Sequence, residues 1–212
     1  MWQIFTKSQI YDPSEQGEYH VRSNADVHLA AERASETKHE YFDGRIYAMA
    51  GATRAHNLIV ANTVATLHQQ VRRRPCEVYP SDMKVQSPQS TLYTYPDVVF
   101  VCGDPLFSDV QKDILLNPTV IIEVLSDSTE NYDRTLKMLF YRYIKSLREY
   151  MLISQTRRLV VLYTWQETDR WEFRFISGHD AVIELPSISC ALALTNVYEK
   201  VQFIPDTDDS MP

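Results

Sequence analysis

The sequence predicts a mixed α/β domain with a β-rich C-terminal part. Three observations carry this. Apolar residues recur at helical spacing between His56 and Arg74. Three strand-like runs then follow in succession: "CEVYPSDMKVQ", "YPDVVFVCG" and "TVIIEVLS". Further on, "RLVVLYTW", "WEFRFIS" and "AVIELPS" alternate with polar turns, as antiparallel strands do.

The elements read in order as follows. Residues 1–25 show no clear periodicity and form an N-terminal extension. "NADVHLAAERASETK" has helical composition, with Asn24 as a cap. "KHEYFDGRIYAMAG" reads as a hairpin about Asp43-Gly44, a pair suited to a type I′ turn. In the next helix Val60, Val64, Leu67 and Val71 share a face, and Pro75 stops it. Arg72, Arg73 and Arg74 at its end suit the negative pole of the helix dipole better than a phosphate patch. After the three strands, a helix over about Asn131 to Lys145 presents Leu136, Leu139, Phe140, Tyr143 and Leu147 as its apolar face. Ser126, Asp127, Ser128 and Thr129 precede it as capping residues. "EYMLIS" is a further strand, "ALTNVYEK" a short closing helix, and residues 204–212 an acidic tail, leaving one domain over 26–203.

Composition narrows the function classes. With 44% apolar and 23% charged residues the chain is that of an ordinary globular protein, and no apolar run is long enough for a membrane span. The first residues lack signal-peptide grammar, which points to the cytoplasm. Cys76, Cys102 and Cys190 are widely spaced without CxxC, which argues for reduced thiols and against a zinc ribbon. A net charge of −7 counts against a broad basic surface for nucleic acid, so any phosphate contact must rest on local cations or on metal ions.

One residue breaks the apolar pattern. Glu123 lies inside "TVIIEVL", where an unpaired carboxylate would cost several kcal/mol, roughly. In a strand alternate residues share a face, so Glu123 lies with Ile121 and Leu125, and Asp97 with Val99 and Val101. If the two faces align, the carboxylates converge and repel, and a divalent cation such as Mg²⁺ relieves the repulsion. The competing reading pairs Glu123 with an arginine or a backbone group and makes Asp97 a strand start. Asp133, Lys137 and Tyr141 recur every four residues along the following helix, which could carry an ammonium towards Glu123. An Asp–Lys surface pair is the structural alternative.

"YPDVVFVCG" followed by "NPTVIIEVLSDSTENYDRTLKMLFYRYIKSLREYMLIS" resembles the Uma-two family of restriction endonucleases, in the PD-(D/E)XK nuclease superfamily. "KHEYFDGRIYAMAGATRAHNLIV" and "CEVYPSDMKV" resemble that family's N-terminal half, so the likeness runs from about Asp26 to Val201. It implies a restriction-endonuclease-like core, a mixed central sheet flanked by helices, with a metal-dependent phosphodiesterase site. Pro96-Asp97 matches the "PD" and Glu123 the acidic position. Leu125 stands where the pattern has lysine, and Lys137 on the helix is the available substitute.

The expectation is therefore a DNA endonuclease using Mg²⁺ or Mn²⁺, with Asp97 and Glu123 as metal ligands and Lys137 as the third catalytic group. Glu40 beside the hairpin, His56 opening a helix and Asp82 in "PSDMKV" are secondary candidates. No G-x-S-x-G elbow supports a serine nucleophile. The alternative is a non-catalytic nucleic-acid-binding or regulatory module on the same fold, and RNA stands beside DNA as a substrate. Apolar edges in the C-terminal half suggest a homodimer.

Overall fold

Near-continuous apolar runs over Val98–Cys102 and Val120–Leu125, buried on both faces, build the centre of the molecule. The computed structural model describes residues 25–49, 51–88, 92–126, 128–167 and 170–203; the N-terminal extension, the Asn24 cap and the acidic tail lie outside them. In chain order the elements are α1 (Ala25–Ala34), β1 (His39–Phe42), β2 (Arg45–Ala48), α2 (Arg54–Val71), β3 (Cys76–Pro80), β4 (Lys84–Gln86), β5 (Tyr93–Thr94), β6 (Val98–Cys102), β7 (Ile114–Leu115) and β8 (Val120–Leu125). A helix then runs through α3 (Glu130–Tyr132), a π-helical turn (Asp133–Lys137) and α4 (Met138–Tyr141). It is followed by β9 (Glu149–Ser154), β10 (Leu159–Gln166), β11 (Arg170–Ser177), β12 (Val182–Leu185), β13 (Cys190–Ala193) and α5 (Leu194–Val197).

A six-stranded sheet in the order β11-β10-β9-β8-β6-β3 is antiparallel except for the parallel β8–β9 pair. That parallel pair needs a crossover, and the helix from Glu130 to Tyr141 supplies it. One face, with Val98, Phe100, Ile122 and Val124, packs against α2, the β12–β13 ribbon and α5. The other carries Val99, Val101, Ile121 and Leu125 and packs with Tyr141, Ile144 and Leu147. The facing of β6 and β8 is thus as the alternation predicts. A second sheet, β2-β1-β5-β4-β7, places the β1–β2 hairpin beside the site. Asp43 and Gly44 both take positive φ, 44° and 79°, as a type I′ turn requires.

Three expectations are corrected. "CEVYPSDMKVQ" is two strands in different sheets, because Ser81 turns the chain with φ 54°. Cys76 and Cys102 form a disulfide, since the antiparallel pairing of β3 with β6 sets them directly opposite, a proximity their spacing does not reveal. Cys190 is the free cysteine, and it is buried. Finally, the crossover helix buries a stripe that shares only Leu147 with the predicted one. Asp133, Lys137, Tyr141 and Ile144 face inward with it, while Leu139 is 44% exposed. No helix among the described residues is long and apolar enough to cross a membrane.

Candidate active site

Asp97 precedes β6 and Glu123 lies within the neighbouring strand β8, and each carboxylate reaches the other's backbone. Asp97 Oδ2 accepts from the Val124 amide at 2.7 Å, and Glu123 Oε2 accepts from the Asp97 amide at 3.3 Å. The register Val98↔Ile122 sets Asp97 opposite Glu123 one step further on, where the β6 ladder stops. Asp97's side chain replaces the missing ladder contact, so its carboxylate is fixed beside that of Glu123.

Lys137 closes the cluster from the helix. Its Nζ lies 2.9 Å from Glu123 Oε1, 3.0 Å from Asp133 Oδ1 and 3.1 Å from Glu40 Oε1. Glu40 comes from β1 and is held by the Tyr95 amide, which donates to Oε1 at 3.1 Å. Tyr141 donates to Glu123 Oε1 at 3.4 Å and pairs with Thr94 Oγ1 at 2.6 Å. The Tyr132 ring covers the ammonium 5.3 Å away. The π turn helps align this stripe: four residues overshoot one α-helical turn by roughly 40°, and the looser π turn takes that excess back.

The charges do not balance. Glu40, Glu123, Asp133 and Lys137 are all buried, so three carboxylates share one ammonium out of water. All three carboxylates are ion-paired with the Lys137 ammonium, and the second oxygen of Glu40, Oε2, is buried with no hydrogen-bond partner among the described residues. Burial pushes Glu123 well above the usual carboxylate range; Lys137 opposes this, while the charges of Asp133, Asp97 and Glu40 add to it. Glu40 and Asp133 are raised for the same first reason, burial, again against Lys137. Burial pulls Lys137 down, but Asp133, Glu123 and Glu40 together hold it well above the usual lysine value. Among the described residues no set of three or more His, Cys, Asp or Glu side chains encloses an ion site. The donors on offer are the hard oxygens of Asp97 and Glu123, the type and number that suit a partly hydrated Mg²⁺.

The model of the Uma2 family, described as "Putative restriction endonuclease", matches residues 25–196. The chain belongs to the Uma2 family. Two relatives from Synechocystis, the uncharacterized proteins sll1609 and slr1290, are each 34% identical. The first match covers 74% of this chain and 89% of the relative, the second 83% and 91%. In structure the chain is similar to a crystal structure of "a putative nuclease" from Anabaena variabilis, with a TM-score of 0.69 and 19% identity over 82% of this chain and 96% of that one, a likeness of fold.

Within this Uma2 fold the predicted residues divide. Asp97, Glu123, Lys137 and Glu40 come together. His56 joins from the first turn of α2, where Thr53 caps the helix by accepting from the His56 amide at 3.1 Å. Its Nε2 lies 3.1 Å from Asp97 Oδ2, and its Nδ1 is buried with no hydrogen-bond partner among the described residues. Asp82 does not join; its side chain is 84% exposed and pairs with Lys38 at 2.7 Å. Thr129, at the cap position of the crossover helix, makes no side-chain capping bond among the described residues. Thr129 Oγ1 instead accepts from the Ser126 amide at 3.4 Å, and Asp127 lies outside the described residues. The sequence aligns Asp133 with Lys137 and Tyr141 on one side of the helix but does not single it out as a site residue; the structure adds it as a third carboxylate of the cluster.

Proposed function

We propose that this chain is an endonuclease that hydrolyses phosphodiester bonds in DNA and uses Mg²⁺ or Mn²⁺. The observation that carries the reading is the meeting of Asp97 and Glu123 across adjacent strands with the Lys137 ammonium 2.9 Å from Glu123. Asp97 and Glu123 would hold the ion. A bound divalent cation supplies polarisation of the scissile phosphate and a water of lowered pKa. The chain's own groups do the rest. The Val124 amide and His56 fix Asp97 Oδ2, while Oδ1 accepts no hydrogen bond from the described residues and is the oxygen available for the ion. Lys137 orients Glu123 and places positive charge where a phosphoryl transition state gathers negative charge. Glu40 and Asp133 position Lys137. Two such sites, one per copy of a homodimer, would reach both strands of a duplex.

Cleavage of plasmid and linear duplex with Mg²⁺ or Mn²⁺, alongside matched RNA, tests this. Asp97→Ala and Glu123→Ala should each reduce cutting to background with the circular dichroism spectrum unchanged. A double variant that cuts at the wild-type rate refutes the assignment, and RNA cut in preference to DNA replaces the substrate.

A non-catalytic nucleic-acid-binding or regulatory module is the second reading. It is favoured by Leu125 at the motif lysine position and by the enclosure of Lys137 within its own carboxylates. Mn²⁺ binding that Asp97→Ala abolishes, with no turnover of DNA or RNA, would select it.

A further inference from the structure

The two edges of the six-stranded sheet are treated differently. β3 is short, ends in Pro80 and is tied to β6 by the Cys76–Cys102 disulfide, all of which blunt it against further pairing. At the other edge β11 has eight residues, "RWEFRFIS", with no proline and no lysine. Its register with β10 runs unbroken from Leu159↔Ser177 to Gln166↔Arg170, so no bulge twists it away. Phe173 is 57% and Phe175 65% exposed, and their rings pack together 5.7 Å apart on the face that also carries Tyr163 and Trp171. Such an edge is a ready template for another strand.

We propose that β11 is the interface of a homodimer, in which two copies pair antiparallel, edge to edge, about a two-fold axis through Phe173. The strand's own charges select this occupant and this register. Cross-strand partners share a face, so a symmetric antiparallel pair must be centred on a residue. Centring on Glu172 or on Arg174 sets a charge against its own copy, which is unfavourable. Centring on Trp171 exhausts the strand at once, because β11 begins at Arg170. Centring on Phe173 sets Glu172 opposite Arg174 of the other copy twice over, stacks Phe173 on its copy, and sets Trp171 opposite Phe175. Polar and aromatic faces are then both self-complementary. The interface stands independently of whether the chain cuts DNA.

Sedimentation velocity on the full chain, with a concentration series, tests it. The wild type should form a dimer. Glu172→Arg alone and Arg174→Glu alone each place like charges opposite one another at two symmetric points, and should weaken the dimer about tenfold to a hundredfold. The double exchange Glu172→Arg with Arg174→Glu should restore it. Both positions of change are exposed, so melting temperature serves as the control for folding. A wild-type monomer across the series overturns the proposal. So does a dimer indifferent to the single exchanges, which would place the contact elsewhere, or a failure of the double exchange to restore what each single one weakens.

Discussion

Two buried ionic clusters lie near one another in this fold, and they are solved in opposite ways. In the first, Glu32 of α1 accepts from the His39 amide at 2.8 Å and from the Tyr95 hydroxyl at 2.9 Å through Oε1, and contacts His39 Nδ1 at 3.0 Å through Oε2. Both oxygens are satisfied. Burial alone would raise this carboxyl, yet the His39 and Tyr95 contacts hold it below its usual value. In the second, Lys137 faces Glu40, Glu123 and Asp133, Glu40 Oε2 lacks a hydrogen-bond partner among the described residues, and all three acids are raised. The first cluster fastens α1 to the sheet. The second sets three buried acids around one ammonium, a local imbalance of the kind that functional sites carry. Completeness of hydrogen bonding, rather than burial, separates a structural ion cluster from a candidate site.

The largest expected effect on stability comes from removing the one cation of the unbalanced cluster. Lys137→Met leaves three buried carboxylates facing one another, and should lower stability by about 3 to 5 kcal/mol at neutral pH. Part of that loss should return on mild acidification, when the carboxylates take up protons. Urea titrations at two pH values measure both quantities. A variant as stable as the wild type at neutral pH would mean the cluster is already protonated or hydrated, and the contrast between the two clusters would fail.

The clusters should also give opposite slopes of stability with pH. Glu32 lies below its ordinary value of 4.5, so its contribution is complete above that value and is lost as pH falls through the folded-state one. Glu40 and Glu123 lie above 4.5 and Asp133 above 3.8. The folded chain there holds protons that the unfolded chain releases, so stability falls as pH rises above those values. Glu32→Gln should cost about 1 to 3 kcal/mol near neutrality and flatten the acid limb. Glu123→Gln should flatten the opposite limb and leave the acid one alone. Denaturant midpoints from about pH 3 to about pH 8 resolve the two limbs.

Much of the site is legible in the sequence because it obeys simple periods. Alternation groups Asp97 with Val99 and Val101 and Glu123 with Ile121 and Leu125, the β6–β8 register brings the two groups to one sheet face, and the four-residue spacing unites Asp133, Lys137 and Tyr141. What the spacing cannot show is which stripe of that helix faces inward. Leu136 and Leu139 look like core, but the inward stripe is chosen by partners distant in sequence, Glu40 on β1 and Glu123 on β8. Glu32 within "AAERAS" carries no local signal of its burial for the same reason, since His39 and Tyr95 reach it only in the folded chain. The break at Ser81 and the Cys76–Cys102 bond likewise depend on sheet membership, which a strand's own residues do not encode.

The smallest expected effect falls on the remaining acidic candidate, and it marks where the unbalanced cluster ends. Asp82 sits in the turn after β3, close to Asp97 in the backbone because the Ser81 amide donates to the Asp97 carbonyl at 3.0 Å. Its side chain nevertheless points to solvent, 84% exposed, against a Lys38 that is itself 41% exposed. Water and salt screen such a pair, and Lys38 keeps a second acceptor in the Ser81 carbonyl at 3.1 Å. Asp82→Ala should therefore change stability by no more than about 0.5 kcal/mol. Mn²⁺ affinity and any cleavage rate should equal those of the wild type. Loss of Mn²⁺ binding in this variant would show that the turn folds inward when the ion binds, and the boundary of the site would move from Asp97 out to Asp82.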